Sequence, residues 1–309
     1  MRILVVGAGG IGGYFGGRLA AAGRDITFLV RQKRAEILRE KGLVIRSPLG
    51  DAYIAAPKLV TADDLGGALD LILLSCKAYD LEDAIASFAP AVGPETAILP
   101  LLNGMAHLDR LEARFGAEAV LGGTCFISTT IGQDGEILHM NDLHRLTYGD
   151  RRGGMPARIE TIAAVFADAG FTAQASETIL SDMWEKWIFI AATAGMTCLM
   201  RSSIGDFVAA GAGNLVLKLI GECAEIAAGH GFALSKAAEE RIRENLTRAG
   251  SAITASMLRD IQAGGRIESD QIIGDLLNRA DPAKRPSYFM LETVYAHLKA
   301  YEVRRAREG

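Results

Sequence analysis

Six residues near the N-terminus constrain this chain more than any others. Gly7-Ala8-Gly9-Gly10-Ile11-Gly12 follows an apolar run at residues 3–6 and opens a helical pattern at residues 11–22. The spacing is GxGxxG, and each glycine has a separate reason. The first allows a tight turn, the second lets a pyrophosphate approach the backbone, and the third lets the helix pack against the strand. The helix N-terminus then offers unpaired N–H groups and the positive end of its dipole to the phosphates. A glycine-rich packing turn is the plain alternative. The strand before, the helix after and a second strand at residues 26–30 favour a dinucleotide site.

The end of that second strand bears on which dinucleotide. An NAD site wants Asp or Glu there, to bind the ribose 2′-hydroxyl. This strand instead runs into Arg31, with Lys33 and Arg34 close behind. A guanidinium suits a 2′-phosphate, which it can grip with two hydrogen bonds. The expected cofactor is therefore NADPH/NADP. Taken singly, Lys33 and Arg34 read as a solvated helix start.

The rest of the first half alternates short apolar runs with helical patterns. Runs at residues 69–75 and 97–102 lack alternation, the mark of strands buried on both faces. Helices are expected at residues 33–40 and 81–88. Such alternation predicts a parallel, doubly wound sheet. Further strands are expected at 120–130, 136–139 and 145–148, the last ones antiparallel at an edge, with 171–175 as one last strand of the first domain. After about Gly154 helical periodicity takes over, with helices predicted at 157–169, 179–197, 214–230, 237–248, 271–280 and 287–304. The expected fold is an α/β Rossmann-type N-terminal domain over residues 1–176, followed by an all-α domain over residues 177–309.

Composition narrows the function classes. Lys plus Arg number 33 against 37 Asp plus Glu, a formal charge of −4, so no basic excess marks a nucleic-acid partner. The four cysteines, Cys76, Cys125, Cys198 and Cys223, are far apart and form no CxxC pair. Neither a metal site nor a disulfide framework is expected. The first apolar run ends in a glycine turn and reads as a strand rather than a signal peptide. The apolar stretch at residues 187–200 is shorter than the roughly 20 residues needed to span a bilayer. No membrane partner is expected, and the location is expected to be cytoplasmic.

Ligands of such sheets bind at the carboxyl ends of the strands. Residues 71–75 lead into Cys76-Lys77-Ala78-Tyr79, and residues 97–102 lead into Asn103-Gly104-Met105. Lys77 and Asn103 are therefore expected to face the cofactor. A surface lysine and an Asn-Gly turn are the alternatives.

Taken together, these pieces resemble the ketopantoate reductase family, the 2-dehydropantoate 2-reductases. The matching residues are GAGGIG at 7–12, CKAYD at 76–80, LLNGM at 101–105, WEKW at 184–187 and SMLRDIQAGGRIES at 256–269. The glycine loop is generic, whereas the order and spacing of the other four are specific. The resemblance implies NADPH-dependent reduction of a 2-oxo acid ketone, by default 2-dehydropantoate to pantoate in the route to coenzyme A. It also implies a site in the cleft between the two domains. Lys186 is implied as proton donor to the ketone oxygen, and Glu268 as a catalytic acid that contacts bound ligand. Ser256 is implied as the carboxylate holder. Asn103 would bridge cofactor and substrate, Lys77 would contact the cofactor, and a segment near Ser128 would border it. On residue type alone, Lys186 reads as a lysine snorkelling from a core helix, Glu268 as an exposed loop acid and Ser256 as a helix-surface serine.

Three positions depart from the family pattern. Where such enzymes carry asparagines four and eight residues after the lysine, this chain has Ile190 and Ala194. A third asparagine position falls at Ile204. An apolar wall cannot read a substrate hydroxyl. The reaction class is expected to survive on a less polar or bulkier 2-oxo acid, with Thr193 and Thr197 as partial substitutes. The competing readings are a related hydroxy acid dehydrogenase and a non-catalytic NADPH-binding sensor. The oligomeric state stays open, although a helical domain of this length can support a homodimer.

Overall fold

The computed structural model describes residues 1–308, which fall into two compact units. The first spans residues 1–102 and 107–180; the second takes residues 103–106 and the described residues from 181 onward.

The first unit begins with β1 (Arg2–Val6), α1 (Gly10–Ala21), β2 (Asp25–Leu29) and α2 (Gln32–Lys41). A hairpin of β3 (Leu43–Arg46) and β4 (Ala52–Ile54) follows, then the short β5 (Lys58–Val60). Next come β6 (Leu71–Leu74), α3 (Leu81–Phe88), β7 (Ala97–Pro100) and α4 (Ala106–Phe115). The unit closes with β8 (Gly122–Ile131), β9 (Ile137–Gly149), α5 (Ala157–Phe166) and β10 (Thr172–Ala175).

These strands form two sheets. In the first, all pairings are parallel and the order is β5-β2-β1-β6-β7. All four residues of β6 and of β7 are buried, as strands covered on both faces require. The order reverses at β1: the chain winds outward to β2 on one side and returns to β6 on the other. The carboxyl ends of β2, β1 and β6 are therefore neighbours, the position where such sheets take their ligands.

The second sheet corrects the expectation of a single sheet with antiparallel edge strands. Its order is β10-β9-β3-β4, with β8 antiparallel to β9. The expected strands at 136–139 and 145–148 are one continuous strand. Asn141 and Asp142 suggest a break, since both residue types are depleted in strands. The pairing of β8 with β9 shifts register between Ile127 and Thr129, and the Asn141 side chain accepts from the Ser128 amide there at 3.0 Å. A polar residue in mid-strand thus serves an amide at a bulge. The β3 to β5 strands were not legible, being three or four residues long and largely unburied.

The second unit is helical: α6 (Ile179–Met200), α7 (Ile204–Ala209), α8 (Gly213–Gly229), α9 (Lys236–Leu246), α10 (Ser256–Gln262), α11 (Asp275–Asn278) and α12 (Phe289–Glu308). Its caps are readable in the sequence. Ser203 and Asp206 form a reciprocal capping box on α7, and the Ser235 hydroxyl accepts from Ala238 at 3.1 Å to start α9. Glu222 of α8 accepts from the amides of Met290 and Leu291 at 3.0 and 2.7 Å, capping α12 from a distant element. The helix expected at 271–280 is present over residues 270–278, with its first turn, Asp270–Gly274, wound as a π-helix that leads into α11. Among the described residues, no helix is long and apolar enough to cross a membrane, and no cluster of His, Cys, Asp or Glu is arranged to hold a metal.

Asp150, just beyond β9, is buried and paired with Arg152 and Arg158. Burial alone would raise its pKa, but hydrogen bonds from Arg152 and Arg158 outweigh that and hold it at about 2, against 3.8 ordinarily. A carboxyl whose folded pKa lies below its unfolded one stabilises the fold fully above the unfolded value. That contribution is lost as pH falls through the folded value. Asp150→Asn is expected to lower stability by about 2 kcal/mol at pH 7. In denaturant titrations the gap between variant and parent should close between pH 4 and pH 2.

Candidate active site

The glycine loop leaves β1 at Gly7, whose φ of +91° is open to glycine at little cost. Gly12 answers a second constraint. A Cβ there would come closer than 3.0 Å to both the Gly7 carbonyl oxygen and the Ser75 hydroxyl. That hydroxyl donates to the carbonyls of Val6 and Gly7 at 2.9 and 3.2 Å, joining the end of β6 to the turn. A Cβ at Gly9, by contrast, would meet nothing within 4 Å. Gly9 is also the N-cap of α1 and offers no capping side chain. The first-turn amides at Gly10, Ile11 and Gly12 have no intrahelical partners, by the geometry of any helix start. Open space at Gly9, Ala8 beside it and an uncapped helix end fit a pyrophosphate.

Arg34 is not the solvated residue its sequence neighbourhood suggests. Its guanidinium donates to the Ala8 carbonyl at 3.0 Å and to the Gly135 carbonyl at 2.7 Å. Burial holds its pKa below the usual arginine range. It ties the glycine loop to the turn between β8 and β9. Arg31 keeps its side chain exposed and lies 3.3 Å from Asp80, beyond β6. Lys77 is half-buried on the same strand end, where its carbonyl accepts from the Asp80 amide at 2.9 Å. Ser128 lies on β8, half-buried, with its amide on Asn141. The β8 side chain that meets the loop is Thr129, closer than 3.0 Å to where a Gly10 Cβ would sit. Only the bulge at residues 127–129 determines which β8 residue faces α1, so the sequence did not single it out.

The helical unit gathers a second group. Lys186 is 8% exposed, so it does not snorkel to solvent. Its Nζ donates to the Asn103 Oδ1 at 3.0 Å. Gln271 in turn donates from its side-chain amide to the Asn103 carbonyl at 2.7 Å. The next residue, Ile272, accepts from the Trp187 indole N–H at 2.8 Å. A ring results: Lys186 to Asn103, to Gln271, to Ile272, to Trp187, and back along α6. Gly104, φ +74°, leaves no room for a Cβ against the Gln271 carbonyl. Gln271 was not singled out by sequence reasoning. Its only signal was position, three residues after Glu268.

Glu268 is also 8% exposed, which overturns the reading of an exposed loop acid. The segment that carries it is held from α12. The Ser269 hydroxyl donates to Glu302, and Asp270 accepts from the Tyr295 hydroxyl at 2.7 Å and pairs with Lys299 at 3.0 Å. Ser256 opens α10 and is exposed, as a helix-surface serine is.

Thr193 and Thr197 have their hydroxyl protons engaged within α6. Both are buried, and each hydroxyl donates to the carbonyl one turn back, at 2.6 and 2.7 Å. Thr197 Oγ1 also accepts from the Ala255 amide at 3.4 Å, just ahead of α10. Ile190 is half-buried, while Ala194 and Ile204 are buried. Ile204 and Gly205 donate their amides to Ile253 and Ser251 at 3.0 and 2.8 Å, so this turn supports the approach to Ser256.

Known proteins resemble this chain over nearly its whole length. The family model described as Ketopantoate reductase PanE/ApbA matches residues 3–153, and that of Ketopantoate reductase PanE/ApbA C terminal matches residues 178–302. An uncharacterized oxidoreductase, YkpB, from Bacillus subtilis (strain 168) is 40% identical over 305 residues, covering 98% of this chain and 99% of its own. The crystal structure of a 2-dehydropantoate 2-reductase from Methylococcus capsulatus superposes with a TM-score of 0.87 at 30% identity, covering 99% and 98% of the two chains. A D-mandelate dehydrogenase, solved with NADH and anilino(oxo)acetate, shares the fold with a TM-score of 0.84 at 20% identity, over 98% and 99% of the chains.

Two substitutions test the site. Gly12→Ala is expected to push α1 off the turn and to weaken dinucleotide binding at least tenfold, measured by calorimetry; unchanged affinity would show that the turn yields. Trp187→Phe removes the indole donor from the Ile272 carbonyl. It should cost about 1–3 kcal/mol in denaturant unfolding, the usual penalty for a buried group that loses its partner.

Proposed function

Because the chain belongs to the ketopantoate reductase family, we propose that it is an NADPH-dependent reductase of 2-oxo acids, with 2-dehydropantoate as the default substrate and pantoate as product. The observation that carries this reading is the buried Lys186 with its Nζ on Asn103. Hydride addition to a ketone leaves charge on the oxygen, which needs a proton donor at hand. A dihydronicotinamide, when held by this loop, would supply the hydride. Lys186 gives the ketone oxygen its proton, so that a C=O becomes CH–OH with one hydride and one proton. Asn103 orients the donor by accepting from Nζ, and Gln271 and Trp187 hold Asn103 and the Glu268 segment around it. Ser256 takes the substrate carboxylate. The Gly7–Gly12 loop holds the pyrophosphate, Arg31 the 2′-phosphate and Lys77 the cofactor nearby.

A specific observation favours a narrower reading of the substrate. Ile190, Ala194 and Ile204 offer no hydrogen bond, and the hydroxyl protons of Thr193 and Thr197 are spent on their own helix. A hydroxyl-bearing substrate meets no side-chain amide and no free hydroxyl proton on such a wall, so a less polar 2-oxo acid suits it better. The fold itself does not decide the matter, since it also serves a D-mandelate dehydrogenase.

The test follows NADPH absorbance with 2-dehydropantoate and with a 2-oxo acid of the same size that lacks the hydroxyl. Lys186→Ala should reduce kcat at least a hundredfold with either substrate while nucleotide affinity holds. Turnover that survives the substitution overturns the role of Lys186. A kcat/KM for 2-dehydropantoate equal to or above that for the hydroxyl-free acid overturns the less polar substrate. No turnover with any 2-oxo acid, with NADPH still bound, would favour a binding protein.

A further inference from the structure

The carboxylate that the end of β2 lacks is present in the structure, supplied from another strand. Asp80 follows β6, and its carboxylate lies 3.3 Å from the Arg31 guanidinium. The two residues come from strands on either side of β1, so they meet at the corner of the glycine loop that faces the ribose of a bound dinucleotide. Asp80 is the N-cap of α3, where an aspartate side chain ordinarily accepts from its own helix. Here no such capping bond forms. The carboxylate lies 3.3 Å from Arg31, which is itself the N-cap of α2.

We propose that Asp80 is a specificity-determining residue that moderates the preference for a 2′-phosphorylated cofactor. This rests on the reading of Arg31 as the 2′-phosphate residue. A 2′-phosphate on Arg31 brings about two negative charges beside the Asp80 carboxylate and must share its guanidinium. A 2′-hydroxyl brings no charge and can donate to that carboxylate, the contact an NAD site makes with its own acid. The pair therefore serves both cofactors. Arg31 favours NADPH, Asp80 favours NADH, and the discrimination between them is lower than an unpaired arginine would give. Because Arg31 is largely exposed, the repulsion is screened by salt, and the effect should shrink as ionic strength rises.

The experiment measures calorimetric affinities of the full-length protein for adenosine 2′,5′-bisphosphate and for 5′-AMP at low salt. In Asp80→Asn the bisphosphate should bind roughly three- to tenfold more tightly, with 5′-AMP unchanged or weaker. Asp80→Ser is a second route to the same charge removal should the amide repack, and a thermal melt checks that each variant is folded. An unchanged ratio of the two affinities, or a weaker grip on the bisphosphate, overturns the proposal. Arg31→Gln separates the two ways of failing. If it lowers the ratio while the Asp80 variants do not, only the role of Asp80 falls. If it too leaves the ratio unchanged, the reading of Arg31 falls as well.

Discussion

The crossover from β1 into α1 has no room for a side chain at Gly12, and the first unit is organised around that close approach. The Gly7 carbonyl and the Ser75 hydroxyl occupy the space a Cβ would need. This draws the helix N-terminus onto the strand end and joins β6 to the same turn through Ser75. Arg34 then fastens the outside of the loop to the turn between β8 and β9. The glycine loop is thus held by backbone packing and by hydrogen bonds on three sides.

The second unit solves a different problem, that of keeping a lysine out of water with its amine directed. Trp184 and Trp187 flank Lys186 with buried indole rings, and Trp184 stacks against His230 and Phe232. Trp187 does more than pack. Its N–H fixes the π-turn at Asp270–Gly274, which widens the helix start just after Glu268. Wide turns of this kind often sit at functional sites because they redirect side chains that a regular helix would hold elsewhere. Glu302, Tyr295 and Lys299 of α12 secure the same segment from the other side. Glu268 thus lies between two independent anchors, although its own sequence neighbourhood, Gly264-Gly265-Arg266, suggests an open loop.

Legibility followed the range of the forces involved. The glycine loop, the buried strands β6 and β7 and the long apolar α6 are set by local steric and hydrophobic rules, and all are plain in the sequence. Elements missed or misdrawn depended on distant partners. The β9 strand runs unbroken because Asn141 serves an amide on β8. The helix expected at 271–280 opens on a π-turn at Asp270–Gly274, where the indole N–H of Trp187 on α6 donates to the Ile272 carbonyl. α4 is different: Leu108, Leu111 and Phe115 recur at helical spacing on a mostly polar sequence, so this helix was legible locally.

For the site, the sequence by itself determined the residue types: the glycines, Arg31, Lys77, Asn103, Lys186, Ser256 and Glu268 at recognisable spacings. It also determined what is absent, namely an acid at the end of β2 and polar side chains at Ile190, Ala194 and Ile204. Only the tertiary structure decided which groups meet. It set Lys186 against Asn103, enlisted Gln271 and Arg34, and committed Thr193 and Thr197 to their own helix. It also returned a carboxylate, Asp80, to the corner where β2 has none. The reason is that a hydrogen bond or an ion pair acts over a few ångströms. Residues 31 and 80 come that close only because β1 lies between their strands in a parallel sheet.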